Sequence, residues 1–305
     1  MNLLSSIEGF AAQAKWAEQA ASLLSKAPSV VLDAPADMDD AIALVQVEAA
    51  LLDLGRPYVR RLTLPRRFCS TPPSQSVEAE AGVSIVAVRD DEEAAPSLPS
   101  NDGLGVVLLT PTSAEVRLGR QGSSRRGALA PAVLAAMIAE QLAPSGTRVR
   151  RVRAAALVPQ WRRGALDAMY DPLYTVVRDH LAEEGSIRIE NLADVAEVPE
   201  HLPGGIQHAL LSRLRRSWST MDLEARSRGM SEVVLPSLEH DALATARLEE
   251  LVWHRPVVPG HGTDLIDQSI HAESSMHEQN EDQACLEMSR NMDLLLREGR
   301  LHPNA

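Results

Sequence analysis

Cysteine is nearly absent from this chain. Cys69 and Cys285 are its only two among 305 residues. They form no CxxC, so neither a zinc clip nor a disulfide framework is indicated. That usage fits a reducing compartment. Aromatic residues make up only 3 %. Clustered stacking platforms for single-stranded bases are therefore missing, and the core must be built from Ala, Leu and Val. No apolar run approaches the ~18 residues that span a bilayer. Glu8 interrupts the first ten residues, unlike a secretory leader. Together these features predict a cytoplasmic protein. There is no GxSxG, no Walker loop, and no HxxxH or HxH among the nine His residues, which excludes the commonest nucleophile, phosphate-cradle and helical metal motifs.

Lysine is scarce as well. Only Lys15 and Lys26 occur, and the other 28 of the 30 basic residues are Arg. Against 42 acidic residues the formal charge is −12, the wrong sign for a protein that coats nucleic-acid phosphates. What the chain does have is 45 % hydrophobic and 24 % charged residues, an ordinary globular composition long enough for one large domain or two smaller ones.

The pattern along the chain predicts an α/β fold with a parallel sheet and helices on both faces, then a mostly helical C-terminal portion. An amphipathic helix is expected over 3–26, a strand over 29–32, a helix over 41–54 closed by Gly55, and a strand over 58–62. Further strands are expected at 83–88 and 106–109, a loop over 119–127, and an apolar helix over 128–142. Residues 152–158 fit a strand or a buried helix equally. The pattern changes near 185–205, which predicts a domain over 1–200 and a smaller, mainly helical region over 201–305. One last helix is expected over 274–297.

The most informative segment is Asp33-Ala-Pro-Ala-Asp37-Met-Asp39-Asp40. Carboxylates in a turn at a strand's C-terminal end lie where α/β sheets bind ligands, and hard cations take such oxygens. The same residues also suit a helix N-terminus, through capping and the helix dipole.

Two families are similar here. The stretch VVLDAPADMDDAIAL resembles the opening of calcium-dependent nucleoside hydrolases, matching at Asp33, Asp39 and Asp40 and departing at Pro35. The second resemblance spans roughly residues 5–212. It is to the DHH phosphoesterase superfamily, in its RecJ-like branch, particularly the archaeal RecJ-like proteins. That branch opens helix, strand, HxDxDG, helix, Gly-Xaa-Pro-Tyr, strand. Here the order is FAAQAKWAEQAASLLSKA, SVVL, PADMDD, AIALVQVEAALLDL, GRPY and VRRL. Asp37 and Asp39 fall on the two Asp positions, Pro35 on the His and Asp40 on the Gly. The DHH triplet is matched by Arg89-Asp90-Asp91 after GVSIVAV. AAALVPQWRR falls on ALxGxxGD, with Arg163 on its final Asp.

An active member uses two metal ions to activate water and stabilise charge at phosphorus. The resemblance therefore implies a degenerate site of Asp37, Asp39, Asp40, Arg89, Asp90, Asp91 and Arg163. Arg cannot ligate a metal and stays protonated, so Arg89 and Arg163 are expected to pair with Asp37, Asp39 or Asp90. No intact catalytic set and no cofactor are expected. A residual ion would sit on Asp37, Asp39, Asp90 and Asp91, and an active site would take Mn or Mg. The resemblance implies a non-catalytic scaffold in DNA replication, docking to GINS and the MCM helicase. The alternatives are an active phosphoesterase or single-strand exonuclease, and a nucleoside hydrolase. Arg117, Arg120, Arg125, Arg126, Arg150, Arg151 and Arg153 belong to one basic stretch, which would guide single-stranded DNA, meet an acidic partner, or stay a self-paired surface.

Overall fold

The last four residues of Ser29–Pro35 (β1) are buried, as suits a strand covered on both faces. The computed structural model describes residues 3–69, 83–89, 105–118, 123–168, 170–239, 243–260 and 262–303. In it β1 lies between Tyr58–Thr63 (β2) and Val83–Val88 (β3), with Val106–Leu109 (β4) beyond. The order is β2-β1-β3-β4, and every pairing is parallel. The α/β class expected from the sequence is the one the chain adopts.

Helix α1 (Ala11–Lys26) precedes β1, and α2 (Met38–Asp53) links β1 to β2. Gly55 follows α2 at φ 63°, a left-handed turn that favours glycine. After β4 comes an antiparallel hairpin of Thr112–Leu118 (β5) and Ser123–Leu129 (β6), where the sequence predicts a loop. Its strands carry exposed Arg and Ser with no apolar alternation on β6, so the usual strand signal is missing. Pro131–Leu142 (α3) is buried over its first ten residues, as its Ala-rich sequence requires. Thr147–Val152 (α4) and Leu157–Arg162 (α5) settle residues 152–158 as helical. Ala165–Ala168 (α6) and Pro172–Glu183 (α7) follow, the second capped by Asp171, whose side chain accepts from the Leu173 and Tyr174 N–H groups.

The C-terminal part is helical, with one small sheet. Arg188–Glu190 (β7) leads to His208–Trp218 (α8), Leu223–Val234 (α9) and Thr245–Trp253 (α10). Arg255–Val258 (β8) pairs with β7 and with Thr263–Asp264 (β9). The chain ends in Leu265–His277 (α11) and Glu281–Glu298 (α12), two helices where one is expected, divided by the Asn280 cap.

The larger apolar core joins α1, α2 and α3 to the sheet and also takes in Ala272, Met276, Met288, Met292 and Leu295 from α11 and α12. The smaller joins Leu192, Leu211, Leu214, Trp218, Met230 and Val252. Residues beyond 200 are thus shared between two cores. Helix α2 packs on α3, α4 and α12. Its N-terminus is thereby held rigidly beside the end of β1. No helix among the described residues is long and apolar enough to cross a membrane.

Candidate functional site

Strand β1 carries Asp33 towards the C-terminal end of the sheet, where it is only 3 % exposed. Parallel register sets Arg61 of β2 beside it, and Arg61 Nε donates to Asp33 Oδ1 at 2.6 Å. On the other side Ala87 of β3 is the register partner. Arg89 lies two residues on, and alternation returns it to the same face. Its Nη2 donates to Asp33 Oδ2 at 2.7 Å, while Nη1 donates to the Val88 carbonyl. Both carboxylate oxygens of Asp33 are therefore occupied by guanidinium groups.

Asp37 stands at the N-cap of α2, but its side chain makes no capping bond. Asp37 Oδ2 instead accepts from the Arg66 backbone N–H and from Arg66 Nη1, both at 3.0 Å. Arg66 reaches Asp40 as well, Nη1 to Oδ2 at 2.5 Å and Nη2 to Oδ1 at 2.9 Å. This two-pronged geometry is the strongest arrangement for the pair, and Asp40 is fully buried. Arg66 is positioned by a single turn over Arg66–Phe68 that follows Pro65. Asp39 faces Arg162 at the end of α5, Oδ1 to Nε at 2.8 Å, and Arg162 Nη2 also donates to Glu273 Oε1 of α11 at 2.7 Å. Asp39 and Asp40 lie in the first turn of α2, where the helix dipole favours negative charge.

Four carboxylates of one turn thus meet four guanidinium groups, and Glu273 adds a fifth acid. Burial alone would push the Arg162 guanidinium down. The hydrogen bond to Glu273 and the charges of Asp39 and Glu273 outweigh it and hold Arg162 above its ordinary value. The Arg162 hydrogen bond holds the Glu273 carboxyl below the usual range, against partial burial. A divalent ion needs carboxylate lone pairs that converge on one point. Among the described residues, each of these four carboxylates has at least one oxygen directed at an arginine.

Several expectations change at this point. Arg89 pairs with Asp33 rather than with Asp37 or Asp39, because β3 is the direct neighbour of β1. Arg162, the residue before Arg163, also pairs with Asp39, and the Arg163 carbonyl accepts from Arg247. Asp90, Asp91 and Arg120 lie outside the described residues. The sequence does not single out Arg61, Arg66, Arg162 or Glu273 as members of the site. Only the β1–β2 register could have found Arg61.

The basic stretch does not form one surface. Arg117, Arg125 and Arg126 are exposed on the hairpin, with Arg126 on Glu115. Arg150 bonds the Ser145 carbonyl, and Arg151 the Leu296 carbonyl. Arg153 is 2 % exposed and pairs with the buried Glu140 and with Glu184, so it cannot belong to a surface patch. Burial pushes the Glu140 carboxyl up to about 7, although the Arg153 charge pulls the other way.

No family model matches this chain, and no curated protein matches it either. Among solved structures it is similar to RecJ in complex with Mn2+ from Thermus thermophilus, at 13 % sequence identity and a TM-score of 0.34. The likeness covers 87 % of this chain and 39 % of that one, so this chain spans well under half the length of that protein.

Proposed function

We propose that this chain is a degenerate DHH-type protein that works as a non-catalytic docking subunit. One observation carries the reading: Asp33, Asp37, Asp39 and Asp40 are each bonded to arginine. The helix–strand–turn–helix–strand order at the front of the chain agrees with it. Guanidinium supplies the positive charge that a metal would otherwise bring, but it can neither activate water nor accept a phosphoryl oxygen into a coordination sphere. An ion would have to displace Arg66 from a fully buried Asp40. That exchange also breaks the two-pronged hydrogen bonding of Arg66 to Asp40. A calcium ion on Asp33 and Asp39 would similarly have to displace Arg61, Arg89 and Arg162.

The acidic net charge favours docking to proteins over coating DNA. By the family resemblance, the partners are GINS and the MCM helicase, in DNA replication. The test is incubation with a single-stranded oligonucleotide and Mn2+. The expected result is no cleavage above an Asp39→Ala control. Mn2+-dependent cleavage that Asp39→Ala abolishes overturns the reading and restores a phosphoesterase. A binding assay with purified GINS and MCM tests the partners, and binding to neither removes the replication assignment.

A further inference from the structure

Three ligand-type side chains converge outside the acidic turn. Asp267 and His271 lie one turn apart on α11, four residues being the spacing that puts two side chains on one helix face. His201, seventy residues earlier, comes from the segment between β7 and α8. One donor atom from each of the three lies within 4.8 Å of the others. The His201 backbone N–H donates to Asp267 Oδ1 at 3.3 Å, which ties that segment to the helix.

The separations are informative. His201 Nδ1 stands 3.6 Å from Asp267 Oδ1. His271 Nε2 stands 3.6 Å from Asp267 Oδ2 and 3.6 Å from Glu200 Oε2. All are too long for hydrogen bonds. A tetrahedral zinc ion with bonds of about 2.0–2.1 Å keeps its ligand atoms about 3.4 Å apart; each imidazole nitrogen lies near that distance from one of the two Asp267 oxygens, and one donor from each residue lies within 4.8 Å of the others. Moreover, His201 Nδ1 is closed off from solvent and makes no hydrogen bond. A ring nitrogen in that state calls for a partner.

The surroundings hold the rings in place. His201 meets His271 edge to face at 4.6 Å, and His302 stacks on His271 at 5.7 Å. Asp264 caps α11 and fixes the turn from which Asp267 projects. Gln268 Oε1 accepts from the Leu301 N–H at 2.8 Å and anchors the segment that carries His302. Glu200 is exposed and borders a groove of about 430 Å³ together with Asp267, His271 and Arg300.

We infer that His201, Asp267 and His271 form a site for a borderline divalent transition ion, Zn2+ foremost, with Glu200 or water in the fourth position. Two imidazoles and a carboxylate suit such an ion better than Mg2+ or Ca2+, which prefer oxygen. The ion would tie the segment before α8 to α11, and so join the smaller core to the larger.

The test uses the full chain, stripped of metal by chelation, at about pH 7.5, where imidazole is mostly neutral. Calorimetric titration with Zn2+ is expected to give one ion per chain. His201→Ala and His271→Ala are each expected to weaken binding at least about 100-fold, the upper end of what loss of a mere supporting partner costs. His208→Ala, on the exposed start of α8, is expected to leave binding unchanged. The absence of stoichiometric binding overturns the site and leaves an ion-pair cluster. Binding that survives both substitutions overturns it equally. Should an alanine variant fail to fold, Co2+ titration of the unaltered chain decides. Intense visible bands of a four- or five-coordinate site support it, and the weak spectrum of hydrated Co2+ overturns it.

Discussion

The acidic turn after β1 and the imidazole cluster on α11 hold similar donors and differ in what surrounds them. At the turn, Asp33, Asp37, Asp39 and Asp40 have guanidinium donors within 3.0 Å. On α11 the nearest opposite groups stop at 3.6 Å, and among the described residues no arginine is paired with Asp267. Carboxylates crowded together in the chain can thus all be engaged by cations. What matters is whether their lone pairs are already spent. Seen from the chain alone, the turn is the obvious candidate and the histidines look scattered. The fold pairs the first with arginines and brings the second together.

The comparison breaks most sharply at Arg66. Arg66→Ala strips the cation from Asp37 and from fully buried Asp40. A loss of about 3–5 kcal/mol in unfolding free energy is expected, as for other buried pairs broken on one side. Urea denaturation measures it, and a loss under about 1 kcal/mol would mean that the pair behaves as a surface one. Arg89→Ala should cost less, about 2–3 kcal/mol, because Arg61 still bonds Asp33. The double variant Arg66→Ala, Arg162→Ala removes these arginines from Asp37, Asp39 and Asp40 together. It is expected to bind Mn2+ more tightly than the unaltered chain, seen as enhanced water proton relaxation. If the variant folds and binds no Mn2+, the arginines are not what keeps the ion out.

The smallest effect concerns Glu273. Its carboxyl is held below the ordinary range chiefly by the Arg162 hydrogen bond. A depressed folded-state value means that stability is present above the unfolded-state pKa of about 4.3 and is lost as pH falls through the lower folded value. Glu273→Gln should therefore lower stability by under about 1 kcal/mol at neutral pH, with no difference left in strong acid. Denaturation curves across the acid range would show the two proteins converging.

Much of the sheet was legible. The strands at 58–62, 83–88 and 106–109 and the helix closed by Gly55 all lie where apolar patterning puts them. The hairpin escaped because exposed β6 has no buried face to print an alternation on the sequence. The division between α11 and α12 escaped because helix-forming residues run through it, and only Asn280 marks the new start. In the site, the acids were visible and most of their partners were not. Arg66 is 26 residues from Asp40, and Glu273 is 111 from Arg162, separations that only the fold closes. His201 and His271 have no motif between them, since one is on a connecting segment and the other on a late helix.

The central place of β1 has one more consequence. Asp33 is clamped from β2 and from β3 at once, so its charge is answered by residues on two different strands. No single substitution can clear such a position for an ion. Removing either arginine leaves the other in the way, and removing both strands a buried anion before anything has replaced them. Any route of substitutions that opens this turn to an ion therefore runs through variants that fold poorly. The same two-sided clamp that holds the carboxylate ties the chemistry of the turn to the stability of the core.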